Sequence, residues 1–236
     1  MMKKIGLIGG LSWESTADYY KRINEYVKNQ YGGLHSAKCL VYSFNFHEVV
    51  ELQNNGRWQE ATEEMITAAQ SLEKAGAELV IICTNTMHLM AKEVQEAISI
   101  PLIHIVDVIA ESIKSHGFSK IGLLGTRFTM EKDFYKEKLE EHGIETIIPT
   151  EEDRAIVHHV IYDELCQGIV CPNSKASYQA IIERLASRGA EGVILGCTEI
   201  PLLISEHDTL IPLFDSTKLH AEYATKLALL PKEQVS

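Results

Sequence analysis

No apolar run in the sequence approaches the length of a membrane span, so a transmembrane helix is not expected. Basic residues are not in surplus: 22 Lys and Arg face 33 Asp and Glu, a formal net charge of -11. That balance argues against a nucleic-acid backbone as the main partner. A small anionic ligand is still allowed, because a local site can be positive on an acidic protein. The five cysteines (Cys39, Cys83, Cys166, Cys171 and Cys197) are an odd set without the CxxC spacing of a zinc site. They suit thiols used singly in a reducing cytoplasm. His88 and the pair His158-His159 lack metal-ligand spacing, and no metal is expected. No low-complexity linker divides the chain. The start, MMKKIGLIGG, carries two lysines and a short apolar run that ends in glycines before SWEST. It reads as a first strand, not a signal peptide.

What is present is ordinary for a soluble globular protein, with 45% hydrophobic and 23% charged residues. A length of 236 residues allows one large domain or two small ones with buried cores. KIGLIGG (4–10), KCLVYSF (38–44), ELVIIC (78–83) and PLIHIV (101–106) read as strands. Segments 15–30 and 57–75 read as helices, and another helix is expected after residue 83. Alternation of this kind indicates parallel βαβ units. The pattern then restarts. KIGLLGT (120–126) repeats KIGLIGG at an offset of 116 (120 minus 4). Helical segments at 130–141, 152–166 and 174–188, a weak strand at 145–148, GVILGC (192–197) and PLF (212–214) complete the second half. The expected fold is α/β with two similar lobes, each a mainly parallel sheet flanked by helices, related by a pseudo-twofold. The boundaries are set at 1–106 plus 215–236 for the first lobe and 107–214 for the second.

A longer match fixes the alignment of the halves. AGAELVIICTNT (from Ala75) and RGAEGVILGCTE (from Arg188) pair Gly76 with Gly189, Glu78 with Glu191 and Val80 with Val193. The offset is 113 (189 minus 76) without a gap. Cys197 then pairs with Thr84, and Cys83 with Gly196. Side chains at a strand end alternate faces, so if Cys197 points into a site, Thr84 is its counterpart and Cys83 points away.

Ligands of open α/β sheets sit at the carboxyl ends of the strands. Four features fall there: Gly9-Gly10-Leu11-Ser12, Thr84-Asn85-Thr86, Gly125-Thr126 and Cys197-Thr198-Glu199. Backbone NH groups and hydroxyls at such ends suit carboxylates. A thiolate is a nucleophile or a base, and a helix N-terminus after GCT is expected to favour it.

GLIGGLSWEST (6–16), CTNTMH (83–88), GLLGTRFTM (122–130) and GCTEI (196–200) resemble the cofactor-independent aspartate/glutamate racemases. The resemblance covers nearly the whole chain. It is closest to the branch acting on aspartate and glutamate or on a broader set of amino acids. It implies a site between the lobes, no cofactor, an amino-acid substrate with a carboxylate side chain, a homodimer, and no membrane or nucleic-acid partner. Typical members carry one cysteine in each lobe, one to remove the α-proton and one to return a proton on the opposite face. Here Thr84 stands directly before Asn85-Thr86, where the family has cysteine, so the implied catalytic pair is Thr84 and Cys197. Cys83 is the alternative base. The analogy places Cys197 on the proton of the L-enantiomer, which implies an L-Asp/L-Glu preference. Ser12 and Thr126 are implied ligands of the substrate carboxylate. Asn85, Thr86 and Thr198 are further substrate contacts. Gln53, and less directly Arg57, are candidates for the side-chain carboxylate. Glu199 is counted among the substrate-binding residues and is also expected to tune the thiol or cap a helix. ELCQG (164–168) has Cys166 where many relatives carry a lysine. The alternatives are a broad-specificity amino-acid racemase, a related decarboxylase or cis-trans isomerase, and a non-catalytic amino-acid or dicarboxylate binding protein.

Overall fold

Short β-branched and leucine-rich runs form the strands, and amphipathic segments form the helices that cover them. The computed structural model describes residues 2–230. The chain divides into two units. One runs to His104 and resumes at His220; the other is Ile105–Leu219. Residues 231–236, assigned to the first lobe from sequence, lie outside the described residues.

The first unit contains β1 (Ile5–Gly9), α1 (Trp13–Tyr31), β2 (Cys39–Ser43), α2 (Phe46–Asn54), α3 (Trp58–Lys74), β3 (Leu79–Ile82) and α4 (Ala91–Glu96). A 3-10 turn, Thr86–Met90, precedes α4. The strands form a parallel sheet in the order β2-β1-β3. Every residue of β1 and β3 is buried, as for a sheet covered on both faces. Helix α1 buries Tyr19, Ile23 and Val27, one side of the helix at four-residue spacing. Ser12 caps its start, and Gly32 at φ 68° ends it.

The second unit contains α5 (Ile105–Ser115), β4 (Lys120–Gly125), α6 (Arg127–Glu131), α7 (Asp133–Glu141), β5 (Glu145–Ile147), α8 (Glu151–His159), α9 (Pro172–Ser187), β6 (Gly192–Gly196), β7 (Leu213–Asp215) and the first residues of α10 (Ser216–Leu229). Its parallel sheet has the order β5-β4-β6-β7.

Strand register shows that the two sequence offsets describe one repeat. Ile5 pairs with Leu79, Gly6 with Val80, Leu7 with Ile81 and Ile8 with Ile82. Adding 116 to the first partner and 113 to the second gives the β4–β6 pairs, Ile121 with Gly192 through Leu124 with Leu195. Edge hydrogen bonds repeat too. Val80 N–H donates to the Pro101 carbonyl at 2.9 Å, and Val193 N–H to the Pro212 carbonyl at 2.9 Å. The Glu78 carboxylate accepts from the Lys4 amide at 2.9 Å, and the Glu191 carboxylate from the Lys120 amide at 2.8 Å.

Several elements differ from expectation. PLIHIV is no strand: its pairing is one bridge, Leu102 with Val80, and Ile105 already begins α5. Pro101 has no N–H to extend a ladder. Helix α2 occupies 46–54, where the sequence pattern predicts no helix, capped by the Asn45 side chain. The expected helix 130–141 breaks at Lys132, which has an extended backbone. The expected helix 152–166 is α8, continued by a π-helical turn at Val160–Glu164 and a 3-10 turn at Leu165–Gln167.

Candidate active site

In the first unit the chain leaves β1 through Gly10, at φ 71°. A Cβ there would lie 2.3 Å from both the amide N and the carbonyl O of Phe44, so only glycine fits this crossing. Ser12 has φ 111°, the one non-glycine residue with positive φ among the described residues. Its hydroxyl accepts from the Ser15 amide at 3.2 Å and lies 3.2 Å from the Glu14 carboxylate. A serine held in so sparsely populated a region marks a constrained turn. Ser15 donates at 2.7 Å to the Cys83 carbonyl, tying this turn to the end of β3. Ser15 is no candidate on sequence grounds, although SWEST contains it.

Cys83 is fully buried. Burial first, then the nearby Cys39, pushes its thiol well above the usual range. Thr84 is half-buried, and no described residue hydrogen-bonds its hydroxyl. Its carbonyl accepts from His88 Nδ1 at 2.8 Å. Asn85 and Thr86 are buried just beyond. Gln53 is buried at the end of α2, with Nε2 3.2 Å from Met87 Sδ. Arg57 is exposed, and Glu60 holds its guanidinium. Residues Phe44, Glu48, Glu51, Arg57, Glu64 and Met87 are among those lining a cavity of about 280 Å³.

In the second unit Thr126 caps α6, its hydroxyl accepting from the Thr129 amide at 3.3 Å. At the end of β6, Cys197 is partly buried and its Sγ–H donates to Glu199 Oε2 at 3.0 Å. The Thr198 hydroxyl donates to the same oxygen at 2.6 Å. Glu199 itself is buried. Enclosure, then the Glu199 carboxylate, pushes the Cys197 thiol well above its ordinary range. The expected stabilisation by a helix N-terminus is absent. GCT leads into a three-residue 3-10 turn, Ile200–Leu202, with Pro201 inside it, and so short a turn has little dipole. Burial and the Glu199 carboxylate thus both favour the protonated thiol. Cys166 and Tyr162 pack with Cys197 against the same core. Tyr162 has no sequence signal; the π-helical turn carries it to this core.

The equivalence of Thr84 and Cys197 is visible in the backbone. Each stands two residues beyond a matched strand pair, Ile8 with Ile82 and Leu124 with Leu195. The position before Cys197 is Gly196, where a Cβ would lie 2.8 Å from the Leu124 carbonyl. The corresponding Cys83 side chain is wholly inside the core.

Comparison with known proteins identifies this arrangement. A family model described as Asp/Glu/Hydantoin racemase matches residues 8–224. The chain belongs to that family. It is an amino-acid racemase, an isomerase. The crystal structure of a candidate Asp/Glu racemase from Yersinia pestis superposes with a TM-score of 0.92 at 51% identity, covering 97% of this chain and 100% of that one. An aspartate racemase homologue from Pyrococcus horikoshii OT3 gives a TM-score of 0.86 at 40% identity, covering 96% and 99%. Among curated proteins, the broad-specificity amino-acid racemase RacX of Bacillus subtilis (strain 168) is 27% identical over 224 residues, 90% of this chain and 92% of RacX. No helix among the described residues of the racemase is long and apolar enough to cross a membrane.

Proposed function

We propose that this racemase inverts an acidic amino acid, L-aspartate or L-glutamate, without a cofactor, with Cys197 and Thr84 serving opposite faces of the α-carbon. The carrying observation is that these two residues hold the same position beyond strand pairs of matching register, β1–β3 in one unit and β4–β6 in the other. One carries a thiol on a carboxylate and the other a hydroxyl without a hydrogen-bond partner among the described residues.

Glu199 accepts the Cys197 proton, and the thiolate then takes the α-proton, so that a C–H bond breaks and an S–H bond forms. On the other face a proton passes from the Thr84 hydroxyl, or from water held by it, to the carbanion. Any alkoxide left on Thr84 is reprotonated by water, and the protonated Glu199 gives its proton to the hydroxide so formed, which restores both groups for the next turnover. An alcohol is a far weaker acid than a thiol, so the two faces are chemically unequal. Both directions nonetheless share one kcat/KM, because enantiomers have equal free energy in water; an L preference resides in kcat and KM separately. Ser12 and Thr126 are the proposed carboxylate ligands. Asn85, Thr86 and Thr198 are further contacts, and Gln53 reaches toward the side chain.

A second reading, broad specificity, is favoured by one observation. The first-unit cavity is bordered by Glu48, Glu51 and Glu64, and its Arg57 is tied to Glu60. Its remaining lining is apolar (Phe44, Val49, Leu52, Ala61, Met65 and Met87), and with its one arginine already paired it does not single out a carboxylate side chain. The test is proton NMR in D2O with the L- and D-forms of aspartate, glutamate, lysine and arginine, together with chiral analysis. Exchange and inversion confined to aspartate and glutamate support the first reading. Faster turnover of lysine or arginine supports the second.

A further inference from the structure

Three histidines far apart in sequence cluster in the first unit. The ring of His88 lies 4.9 Å from that of His104 and 5.6 Å from that of His220, both edge-on. His88 and His220 are almost wholly buried. His220 Nε2 faces the Ile103 carbonyl at 2.8 Å, and its Nδ1 faces the Tyr19 hydroxyl at 2.9 Å. A carbonyl oxygen can only accept, so the proton of neutral His220 is on Nε2, and Tyr19 donates to Nδ1. By the same reasoning His88 carries its proton on Nδ1, which donates to the Thr84 carbonyl. Burial and the neighbouring imidazoles hold both rings neutral.

We propose that His88 is a positioning residue for the Thr84 face of the reaction: its Nδ1–H fixes the Thr84–Asn85 peptide, and the His220–Tyr19 pair fixes the ring. This role rests on the assignment of Thr84 to the site. The orientation of that peptide sets where the Thr84 hydroxyl and the Asn85 side chain point. Small errors in placing a reacting group lower rates steeply, by up to about 10²-fold for 1 Å. The device belongs to one half only. The repeat places Pro201 opposite His88 (88 plus 113), so the Cys197 half has no imidazole in this role.

A positioning role moves apart two quantities that a merely structural role would move together. In D2O, α-proton exchange with retention from an L-amino acid reports the Cys197 face alone. Inversion requires the Thr84 face as well. For His88→Leu, inversion of L-aspartate and L-glutamate falls at least tenfold, while exchange with retention stays within about threefold of wild type. For His88→Asn, whose amide N–H can replace Nδ1–H, inversion returns to within about threefold of wild type. Tyr19→Phe, which removes the hydroxyl that donates to His220 Nδ1, lowers inversion more than exchange. Equal losses of exchange and inversion in a folded variant, or an asparagine variant no better than leucine, overturn the proposal. Should wild type exchange no α-proton from any amino acid tried, the substrate reading fails, and the positioning claim is then judged without turnover. Long-range ¹H–¹⁵N spectra should show His88 as the Nδ1–H tautomer and His220 as the Nε2–H tautomer between pH 6 and 8. The opposite tautomer of His88 refutes the proposal, whether or not the leucine variant folds.

Discussion

Cys197 and Thr84 are matched by position and mismatched by chemistry, and each has its own local partner. Cys197 rests on Glu199 at 3.0 Å, and the Thr84 carbonyl rests on His88 at 2.8 Å. The Glu199 contact makes two rates move in opposite directions. Replacing Glu199 by glutamine removes a negative charge that holds the thiol protonated. The thiol pKa falls, so iodoacetamide labels Cys197 faster at pH 7.5. Under the proposed mechanism the same change removes the proton acceptor, so α-proton exchange is expected to slow by about 10²-fold, within the usual range for general-base groups. If labelling and exchange both rise, Glu199 is only a brake on the thiol and not its proton acceptor. Arg57 lies at the other extreme: exposed and held by Glu60 three residues on. Arg57→Ala is expected to leave the urea unfolding midpoint unchanged within error, as for most surface substitutions.

At the scale of elements, the strands carry both the sequence signal and the geometry. KIGLIGG, KIGLLGT, ELVIIC and GVILGC are apolar runs because their strands are buried on both faces, so sequence alone locates them and their repeat. The candidates Ser12, Thr84, Thr126 and Cys197 are placed from sequence for the same reason, each following a strand end, whereas Gln53 lies in α2. Elements set by turn chemistry and tertiary contact are not. PLIHIV has strand composition, but Pro101 and the start of α5 leave it one bridge. Helix α2 depends on the Asn45 cap and on burying Val49 and Gln53, which a short polar segment does not announce. The histidine cluster is illegible because His104 and His220 lie in segments without a motif. The strand ends also carry a packing prediction. A methyl group at Gly196 would lie 2.8 Å from the Leu124 carbonyl and 3.1 Å from Leu123 Cδ1. Gly196→Ala must push β6 away from β4, at a cost of about 1–3 kcal/mol. Calorimetry should show a Tm lower by several degrees. An unchanged Tm would mean that the strands move apart freely.

The whole molecule has a stability window set by groups it buries uncharged. Folding lowers the pKa of His220 to about 3 and that of His88 well below its usual value, in both cases chiefly by burial. Below about pH 6.5 the unfolded chain binds protons at these rings and the folded chain does not. Stability is therefore full above that pH and declines below it, by about 1.4 kcal/mol per pH unit for each histidine. On the alkaline side, burial raises Cys39 to about 11, and Cys83 is raised well above its ordinary value. The unfolded thiols ionise first, so stability falls again above about pH 8.5–9. Urea midpoints should form a plateau near neutrality with losses at pH 5 and pH 10; a midpoint unchanged between pH 7 and pH 5 contradicts the neutral buried cluster. The central claim, that the two halves present Cys197 and Thr84 rather than two cysteines, is tested most directly by following exchange and inversion of L-aspartate and L-glutamate in D2O with Thr84→Ala and Cys83→Ala. Cys83→Ala is expected to stay close to wild type in both. Thr84→Ala is expected to keep exchange at the L-enantiomer and lose inversion. Loss of inversion in Cys83→Ala with Thr84→Ala unaffected would contradict the claim.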